Sequence, residues 1–409
     1  MLTQNRFFFA LAMFSQLALP VPAFGDTPAA PVTSFGVAFK PFDAKLSKNR
    51  RTVRITKPFP QDDPRYYRLR VRVDNPRRED WTISVRSPVG QILSTFDQSE
   101  TGCEDAAGCW TARLSSKLPT VQFATDSDLV KAEIVGALYM PAEAKHPFYS
   151  PMAGSVDERL SAMTSGSADE KQAIYELADT LGLFIGSGNA PDGSLANWCC
   201  SGVRLTGDLF MTNWHCGATT GMAAAAFWPT TGSGNVCRAG IVDLSWDEDE
   251  IGREFACEKV EYVNKDLDVA ILRLGKLADG LGLSRPLRLP VVSTNELSAG
   301  DEVKILHHPA CKPKSVTRGC TVLKPGIRSW TGTDANAPLT DFTHNCTTEA
   351  GSSGGPVFSA DNRLIGLHHL GADSARPDPG NFAVGMASIL EKLRTDAAGL
   401  HREITGSEP

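Results

Sequence analysis

Short segments in which hydrophobic and polar residues alternate recur along most of the chain. In the first half, residues 68–73 and 81–86 alternate strictly, and each is followed by a turn sequence, 74–76 and 87–90. Alternation over four to eight residues is typical of a strand with one buried face. We therefore predict a small β-sandwich over residues 26–150, with no cluster of residues that indicates catalysis.

The second half repeats the pattern of short apolar strands separated by glycine-containing turns. Regular short strands of this kind favour a second all-β unit, a barrel or a sandwich, over residues 176–400. The strands are expected at 182–186, 201–205, 209–212, 268–274, 302–306 and 363–367.

Two helices interrupt this all-β pattern. Ser167 can cap a helix over residues 168–177, because Glu170 follows it by three positions. A second helix is expected over residues 386–398, where apolar residues recur at helical spacing. Residues 151–175 are otherwise loop-rich and are assigned to a linker, and residues 401–409 to a C-terminal tail.

The N-terminus has the pattern of a secretory signal peptide. Arg6 precedes an apolar run over residues 7–19, and small residues near Ala23 and Gly25 offer cleavage positions. The run is too short for a membrane span and ends in prolines. We predict that residues 1–25 are removed and that the mature protein is soluble and secreted or periplasmic in a bacterium.

Charge and cysteine content narrow the functional classes. The chain has 409 residues and a net charge of −6, and its basic runs are short, so a nucleic-acid partner is not expected. Ten cysteines, an even number, favour disulfides in an exported chain. No Cys-x-x-Cys spacing supports zinc, so no metal or cofactor is predicted.

The candidate chemistry begins with a serine between glycines in Gly351-Ser352-Ser353-Gly354-Gly355-Pro356. Glycines allow backbone conformations in which one hydroxyl is exposed and nearby N–H groups point at one place. The same stretch could be an ordinary turn, so its meaning depends on a base and a carboxylate elsewhere.

A histidine and an aspartate supply these groups. His215 follows a predicted strand end, and a Cys200–Cys216 disulfide would hold it at the mouth of a hairpin. Asp268 enters a strongly apolar strand, and a buried carboxylate is costly without a partner. Accepting a hydrogen bond from a histidine would explain it. Asp266 is the competing carboxylate.

These three stretches resemble the signatures of chymotrypsin-like serine proteases, in the order His, Asp, Ser. The resemblance covers residues 176–400 and implies two packed six-stranded β-barrels with a C-terminal helix. The bacterial secreted branch, the glutamyl and lysyl endopeptidases, is the closer likeness, and His307-His308-Pro309 followed by Lys312 also matches it.

The resemblance implies a serine endopeptidase without a cofactor. Ser353 would be the nucleophile, His215 the base and Asp268 the group that orients it, with an oxyanion hole from the N–H groups of Gly351 and Ser353. Protein or peptide substrates, no membrane after signal cleavage and a monomer are expected. A catalytically inactive binding or adhesion relative is the alternative class. An α/β-hydrolase esterase would need the nucleophile before the histidine.

Two departures from the digestive proteases matter. Ser352 stands where those enzymes carry the aspartate that pairs with a newly freed N-terminus, so that activation switch is expected to be absent. Thr348 and His368 match the residues that glutamyl endopeptidases use against an acidic side chain, with the histidine protonated or donating. Asp373 or Asp378 would instead suit a lysyl endopeptidase, and the adjacent His369 leaves the strand register open by one residue.

Among the remaining cysteines, local pairing is expected. The predicted pairs are Cys103–Cys109, Cys237–Cys257 and Cys311–Cys320. Cys199 and Cys346 remain, and whether they pair with each other is left open, because connectivity does not follow from sequence.

Overall fold

The computed structural model describes residues 45–54, 66–99, 103–104, 108–114, 119–140, 149–150, 155–189, 195–217, 228, 231–232, 237, 240–247, 253–276, 288–328, 338–371 and 380–406. The predicted signal peptide with Ala23 and Gly25 lies outside the described residues, as do Asp373 and Asp378. In the described part of the chain, no helix is long and apolar enough to cross a bilayer.

Eight strands near the N-terminus form two packed sheets. They are β1 (Lys45–Leu46), β2 (Thr52–Arg54), β3 (Tyr66–Asp74), β4 (Trp81–Arg86), β5 (Ile92–Asp97), β6 (Cys109–Trp110), β7 (Thr120–Thr125) and β8 (Lys131–Met140). One sheet has the order β1-β8-β3-β6 and the other β2-β7-β4-β5. In β4, Trp81, Ile83 and Val85 are buried while the residues between them face outward. Both sheets therefore line one core, and the predicted sandwich is confirmed.

The stretch predicted as a linker contains regular structure, namely β10 (Val156–Arg159) and most of α1 (Ala168–Ala178). The short β9 (Tyr149–Ser150) lies directly before it. The hydroxyl of Ser167 accepts the backbone N–H of Glu170 at 3.2 Å, so α1 begins at the predicted cap.

The next strands close into a first barrel. They are β11 (Leu181–Asn189), β12 (Leu195–Thr206), β13 (Leu209–Thr212), β14 (Thr231–Gly232), β15 (Ile241–Asp243), β16 (Glu254–Asn264) and β17 (Val269–Lys276). The order β16-β15-β11-β12-β13-β17 returns to its start because β17 also pairs with β16, and β14 adds to the outside of β16.

A second barrel repeats this arrangement. Its strands are β18 (Glu302–His307), β19 (Ser315–Arg328), β20 (Leu339–His344), β22 (Pro356–Ser359), β23 (Leu364–Leu370) and β24 (Asn381–Gly385), with the short β21 (Thr348–Glu349) between β20 and β22. Pairing of β19 with β20 closes it, β10 adds to β19, and β21 pairs with β9. The predicted pair of six-stranded barrels is thus confirmed.

The C-terminus forms two helices, α2 (Met386–Asp396) and α3 (Ala398–Thr405). One helix over residues 386–398 was expected, but Ala397 leaves the helical region at φ −147° and ψ 60°. This break turns the chain so that Leu400 and Ile404 pack on the same core as Leu393. The second helix therefore occupies most of the predicted tail.

The cysteines form five disulfides, which include all ten. Three are the predicted Cys103–Cys109, Cys200–Cys216 and Cys237–Cys257. The predicted pair Cys311–Cys320 is wrong, because the structure joins Cys311 to Cys199 and Cys320 to Cys346, the two cysteines whose partners were left open.

Strand geometry explains the correction. Cys311 lies in the turn after β18, whereas Cys320 lies five residues into β19 from Ser315. That is roughly 16 Å along a strand, and a disulfide needs Cα atoms about 6 Å apart. Val322 opposes His344 across β19 and β20, so Cys320 comes opposite Cys346 instead.

A buried charge cluster joins the sandwich to the first barrel. Arg68 on β3 is fully buried and contacts Asp243 on β15 at 3.2 Å and Glu254 on β16 at 2.7 Å. Arg113 contacts the same two carboxylates at 3.4 and 2.7 Å. Beside them, Trp110 of β6 packs in a cluster of barrel residues. The sandwich is thus packed against the barrel through buried residues.

Candidate functional site

His215 is fixed at the end of a barrel strand. It lies in the single 3-10 turn Trp214–Cys216 that follows β13, and the next residue, Cys216, is bonded to Cys200 on β12. Its backbone N–H donates to Asp268 Oδ1 at 2.9 Å, and its Nδ1 lies 2.7 Å from Asp268 Oδ2. One carboxylate thus holds both the backbone and the ring, which sets the orientation of the imidazole.

Asp268 itself occupies a strained position. Its φ is +52°, in the left-handed region, one residue before β17 begins. Its carbonyl oxygen accepts a hydrogen bond from Asn213 Nδ2 at 2.9 Å, which supports this conformation. Asp266, the competing carboxylate, is exposed, so Asp268 is the aspartate that contacts His215.

A second imidazole reaches the same carboxylate. His369 on β23 places Nδ1 3.4 Å from Asp268 Oδ2 and Nε2 3.1 Å from Asp341 Oδ2, and all three side chains are buried. Burial lowers the pKa of His369, but the two carboxylates outweigh it and raise that pKa to about 9. His369 is therefore a buried cation near neutral pH.

The two neighbouring histidines also act on Asp268. Burial raises the pKa of Asp268, but His215 and His369 more than offset it, so the pKa is lowered overall. Sequence reasoning missed His369 and treated it only as a doubt about register. The signal was present, because adjacent residues on a strand face opposite sides and only one of His368 and His369 can face Asp268.

Hydrogen bonds at consecutive peptide groups anchor the loop around Ser353. The carbonyl of Ala350 accepts the N–H of Ala310 at 2.7 Å, and the carbonyl of Gly351 accepts the hydroxyl of Ser201 at 2.8 Å. A trans peptide points its C=O and N–H in opposite directions. The Gly351 N–H is therefore turned away from Ala310, and the Ser352 N–H donates to Glu349 O at 2.9 Å.

Two N–H groups of this loop remain available. Within the described residues, the backbone N–H groups of Gly351 and Ser353 have no acceptor. Gly351 has a φ of +94°, and a Cβ there would lie 2.8 Å from the carbonyl oxygen of His308. This position requires glycine, and it leaves two donors for a negatively charged oxygen.

Ser353 and His215 are linked through the first barrel. The carbonyl of Ser353 accepts the N–H of Ser201 at 2.7 Å, although the Ser353 loop belongs to the second barrel. Ser201 directly follows Cys200, whose disulfide partner Cys216 directly follows His215. The Ser353 loop and the turn that carries His215 are thus both attached to β12, at neighbouring residues Ser201 and Cys200.

Thr348 and His368 are held by polar neighbours beside this loop. Thr348 Oγ1 accepts from Asn381 Nδ2 at 3.0 Å, and His368 Nδ1 lies 3.2 Å from His344 Nε2. Burial and neighbouring histidines lower the pKa of His368 well below its usual value, and that of His344 to about 3. His368 was expected to act either as a protonated cation or as a neutral donor, and its lowered pKa leaves the neutral donor.

The positions of the ring protons on His344 and His368 follow from one backbone hydrogen bond. The N–H of Cys346 donates to His344 Nδ1 at 3.2 Å, so the proton of neutral His344 is on Nε2. His344 then donates to His368 Nδ1, which puts the proton of His368 on Nε2. Sequence reasoning did not find His344 or Asn381, because neither lies in a recognisable motif.

One group of residues in the described chain has the spacing of a metal site. The ligand atoms of Cys200, His215 and Cys216 lie within 4.8 Å of one another. Both sulfurs are in a disulfide, however, so neither can supply the thiolate that a metal needs.

Comparison with known proteins identifies part of the chain. Residues 200–367 match the model of the trypsin-like peptidase domain. No curated protein matches the chain. Similar solved structures include the active form of the Rv3671c protease from M. tuberculosis, at 17% identity and a TM-score of 0.38, covering 63% of this chain and 93% of that one.

Two further solved structures are similar at the same level. Deg5 has 16% identity and a TM-score of 0.40, covering 57% of this chain and 98% of that one. The HtrA-type protease AlgW with a tripeptide has 16% identity and a TM-score of 0.38, covering 55% and 63%. With the two barrels and the match to the family model, the chain contains a trypsin-like peptidase domain at residues 200–367.

Proposed function

We propose that the protein is a serine endopeptidase in which Ser353 is the nucleophile, His215 the general base and Asp268 the residue that orients it. The observation that carries this proposal is the double contact of Asp268 with the backbone and ring of His215. Because the carboxylate accepts the Nδ1 proton, Nε2 of neutral His215 is left as a proton acceptor.

The reaction then follows from these positions. Ser353 Oγ attacks the peptide carbonyl and passes its proton to His215 Nε2, and the Gly351 and Ser353 N–H groups stabilise the resulting oxyanion. His215 returns the proton to the leaving amine, which breaks the C–N bond and leaves an acyl-enzyme. Water, activated by the same histidine, releases the acid and restores Ser353.

We further propose that the enzyme cleaves after glutamate. Asn381 donates to Thr348 Oγ1, so the threonine hydroxyl keeps its own proton to donate. His368 Nε2 carries a proton, and the described residues provide no acceptor for it. Two neutral donors suit the carboxylate of a substrate side chain and do not suit an ammonium group.

Cleavage after lysine and loss of activity are the alternatives. A digest of a protein mixture by the full chain, read by mass spectrometry, separates them, with Ser353→Ala as the matched control. Cuts after glutamate that disappear in the variant are expected. Cuts after lysine would move the specificity role to Asp373 or Asp378, and the absence of any cut would favour an inactive binding protein.

Export is also part of the proposal. Five disulfides suit an oxidising compartment, in line with the predicted signal peptide. A monomer acting on protein or peptide substrates outside the cytoplasm is the working hypothesis.

A further inference from the structure

Ser352, the residue before the proposed nucleophile, is tied into a hydrogen-bond chain. Its side chain is buried, and its Oγ accepts the N–H of Glu349 at 3.0 Å. The same Oγ lies 2.7 Å from Nδ1 of His307, which is also fully buried. The Ser352 hydroxyl already accepts one bond, so its hydrogen is available to His307 Nδ1.

The chain continues to a residue upstream of both barrels. His307 Nε2 lies 3.3 Å from Asp157 Oδ1 and 3.1 Å from Thr317 Oγ1. A carboxylate can only accept, so the ring proton belongs on Nε2 and Nδ1 accepts from Ser352. Every hydrogen bond from Ser352 to Asp157 then has a consistent direction.

Asp157 belongs to a strand that packs along this side of the site. It lies on β10, which pairs with β19 of the second barrel. Just upstream, Ser155 Oγ accepts the N–H of Thr347 at 3.1 Å, and β9 pairs with β21 at Thr348 and Glu349. Residues 149–150 and 155–159 thus contact the residues that lead into the Ser353 loop and the strand β19 beside them.

The hydrogen-bond chain ends on the turn that carries the two available donors. Ser352 bonds Glu349 twice, through its hydroxyl and through its own N–H. These bonds close residues 349–352 into one turn, with the Gly351 N–H inside it and the Ser353 N–H directly after it. Loss of the support behind Ser352 would let this turn change conformation.

We propose that Asp157 and His307 are positioning residues that hold the Ser353 loop in its active conformation. This inference rests on the proposed peptidase function. Strand β10 of the intact chain would then order the Ser353 loop, a task that a newly freed N-terminus performs in digestive proteases. Asp157 reaches this position on β10 while the chain is intact, so the protein needs no cleavage next to β10 to become active.

The test uses point variants of the full chain. Asp157→Ala and His307→Ala are expected to lower kcat about tenfold while KM changes less than about twofold, because a displaced oxyanion donor acts on the transition state. Asp157→Asn keeps a hydrogen-bond acceptor, and His307→Gln keeps an acceptor and a donor. Both variants are expected to recover most of the kcat that the Ala variants lose. A purely structural role would not produce this pattern of rescue.

Glu158→Gln is the matched control, because Glu158 neighbours Asp157 on β10 but pairs with Arg318. It is expected to keep the wild-type kcat. Amide hydrogen exchange over residues 346–356, which does not depend on activity, should be faster in Asp157→Ala than in the wild type and unchanged in Glu158→Gln.

The outcomes separate this inference from the proposed function. An active wild type with unchanged kcat and exchange in Asp157→Ala and His307→Ala would overturn the inference alone. An inactive wild type would contradict the peptidase proposal, and the exchange data would still support or refute ordering of the loop by Asp157. Equal losses in the Ala variants and their Asn and Gln counterparts would also refute it.

Discussion

At the scale of single residues, the carboxylate of Asp268 is the centre of the site. It contacts the proposed base His215 on one side and the buried cation His369 on the other. Buried charges are costly unless they are paired. The cation of His369 lies between Asp341 and Asp268, and together with His215 it lowers the pKa of Asp268, so this carboxylate stays ionised as orienting a histidine requires.

Replacement of Asp268 by asparagine is expected to lower kcat by several orders of magnitude, about 10⁴-fold, because the amide favours the wrong tautomer of His215. Asp266→Asn is the matched control, since Asp266 is exposed and two residues away. Steady-state hydrolysis of a peptide by the two variants checks this. A large loss of kcat in Asp266→Asn with an active Asp268→Asn would mean that Asp266, and not Asp268, orients His215.

His369 makes stability depend on pH in the alkaline range. Its pKa rises from 6.5 to about 9 on folding, so its contribution is fully present below about pH 6.5 and is lost as the pH rises through about 9. Thermal unfolding should show wild-type Tm falling over this range relative to His369→Gln.

The matched control for that measurement is His401→Gln on α3, which should keep the wild-type pH dependence of Tm. A constant difference in Tm between the wild type and His369→Gln from pH 6 to pH 10 would mean that His369 is not a buried cation.

At the scale of elements, sequence patterns predicted what depends on local spacing. Alternation predicted β4, and the Ser167 cap predicted the start of α1. Pairs that depend on strand register could not be predicted, because Cys320 and Cys346 meet only when β19 and β20 align. Asp157 and His307 are likewise joined only because β10 and β18 both pair with β19.

The cap of α1 gives a prediction at this scale. Ser167→Ala removes the acceptor for the Glu170 N–H and is expected to lower the free energy of unfolding by about 1 kcal/mol. Chemical denaturation measures this, with Ser161→Ala, an exposed serine outside the cap, as the control. Equal stability of the two variants would show that the cap contributes nothing.

At the scale of the whole molecule, the sandwich and the first barrel share a buried charge cluster. Burial raises the pKa of Asp243, but Arg113 and Arg68 outweigh it and lower that pKa. Both arginines come from the sandwich side, so the carboxylates of the barrel depend on the sandwich for their partners. We therefore expect the two units to unfold together.

Arg68→Ala tests this dependence. It leaves Asp243 and Glu254 with one arginine fewer in a buried site and is expected to cost about 3–5 kcal/mol of stability. Arg72→Ala, which removes a partly exposed pair with Glu133, should cost less than about 1 kcal/mol. Denaturant unfolding of both variants gives the comparison, and equal small losses would contradict a structural role for the cluster.

The central claim, that Ser353 is a nucleophile activated by His215, is tested most directly by covalent labelling. The full chain is treated with a fluorophosphonate, and the modified residue is located by peptide mass spectrometry. The account predicts one adduct, on Ser353 and not on Ser352, that is lost in His215→Ala. Labelling of Ser352, or no labelling of the folded wild-type protein, would contradict it.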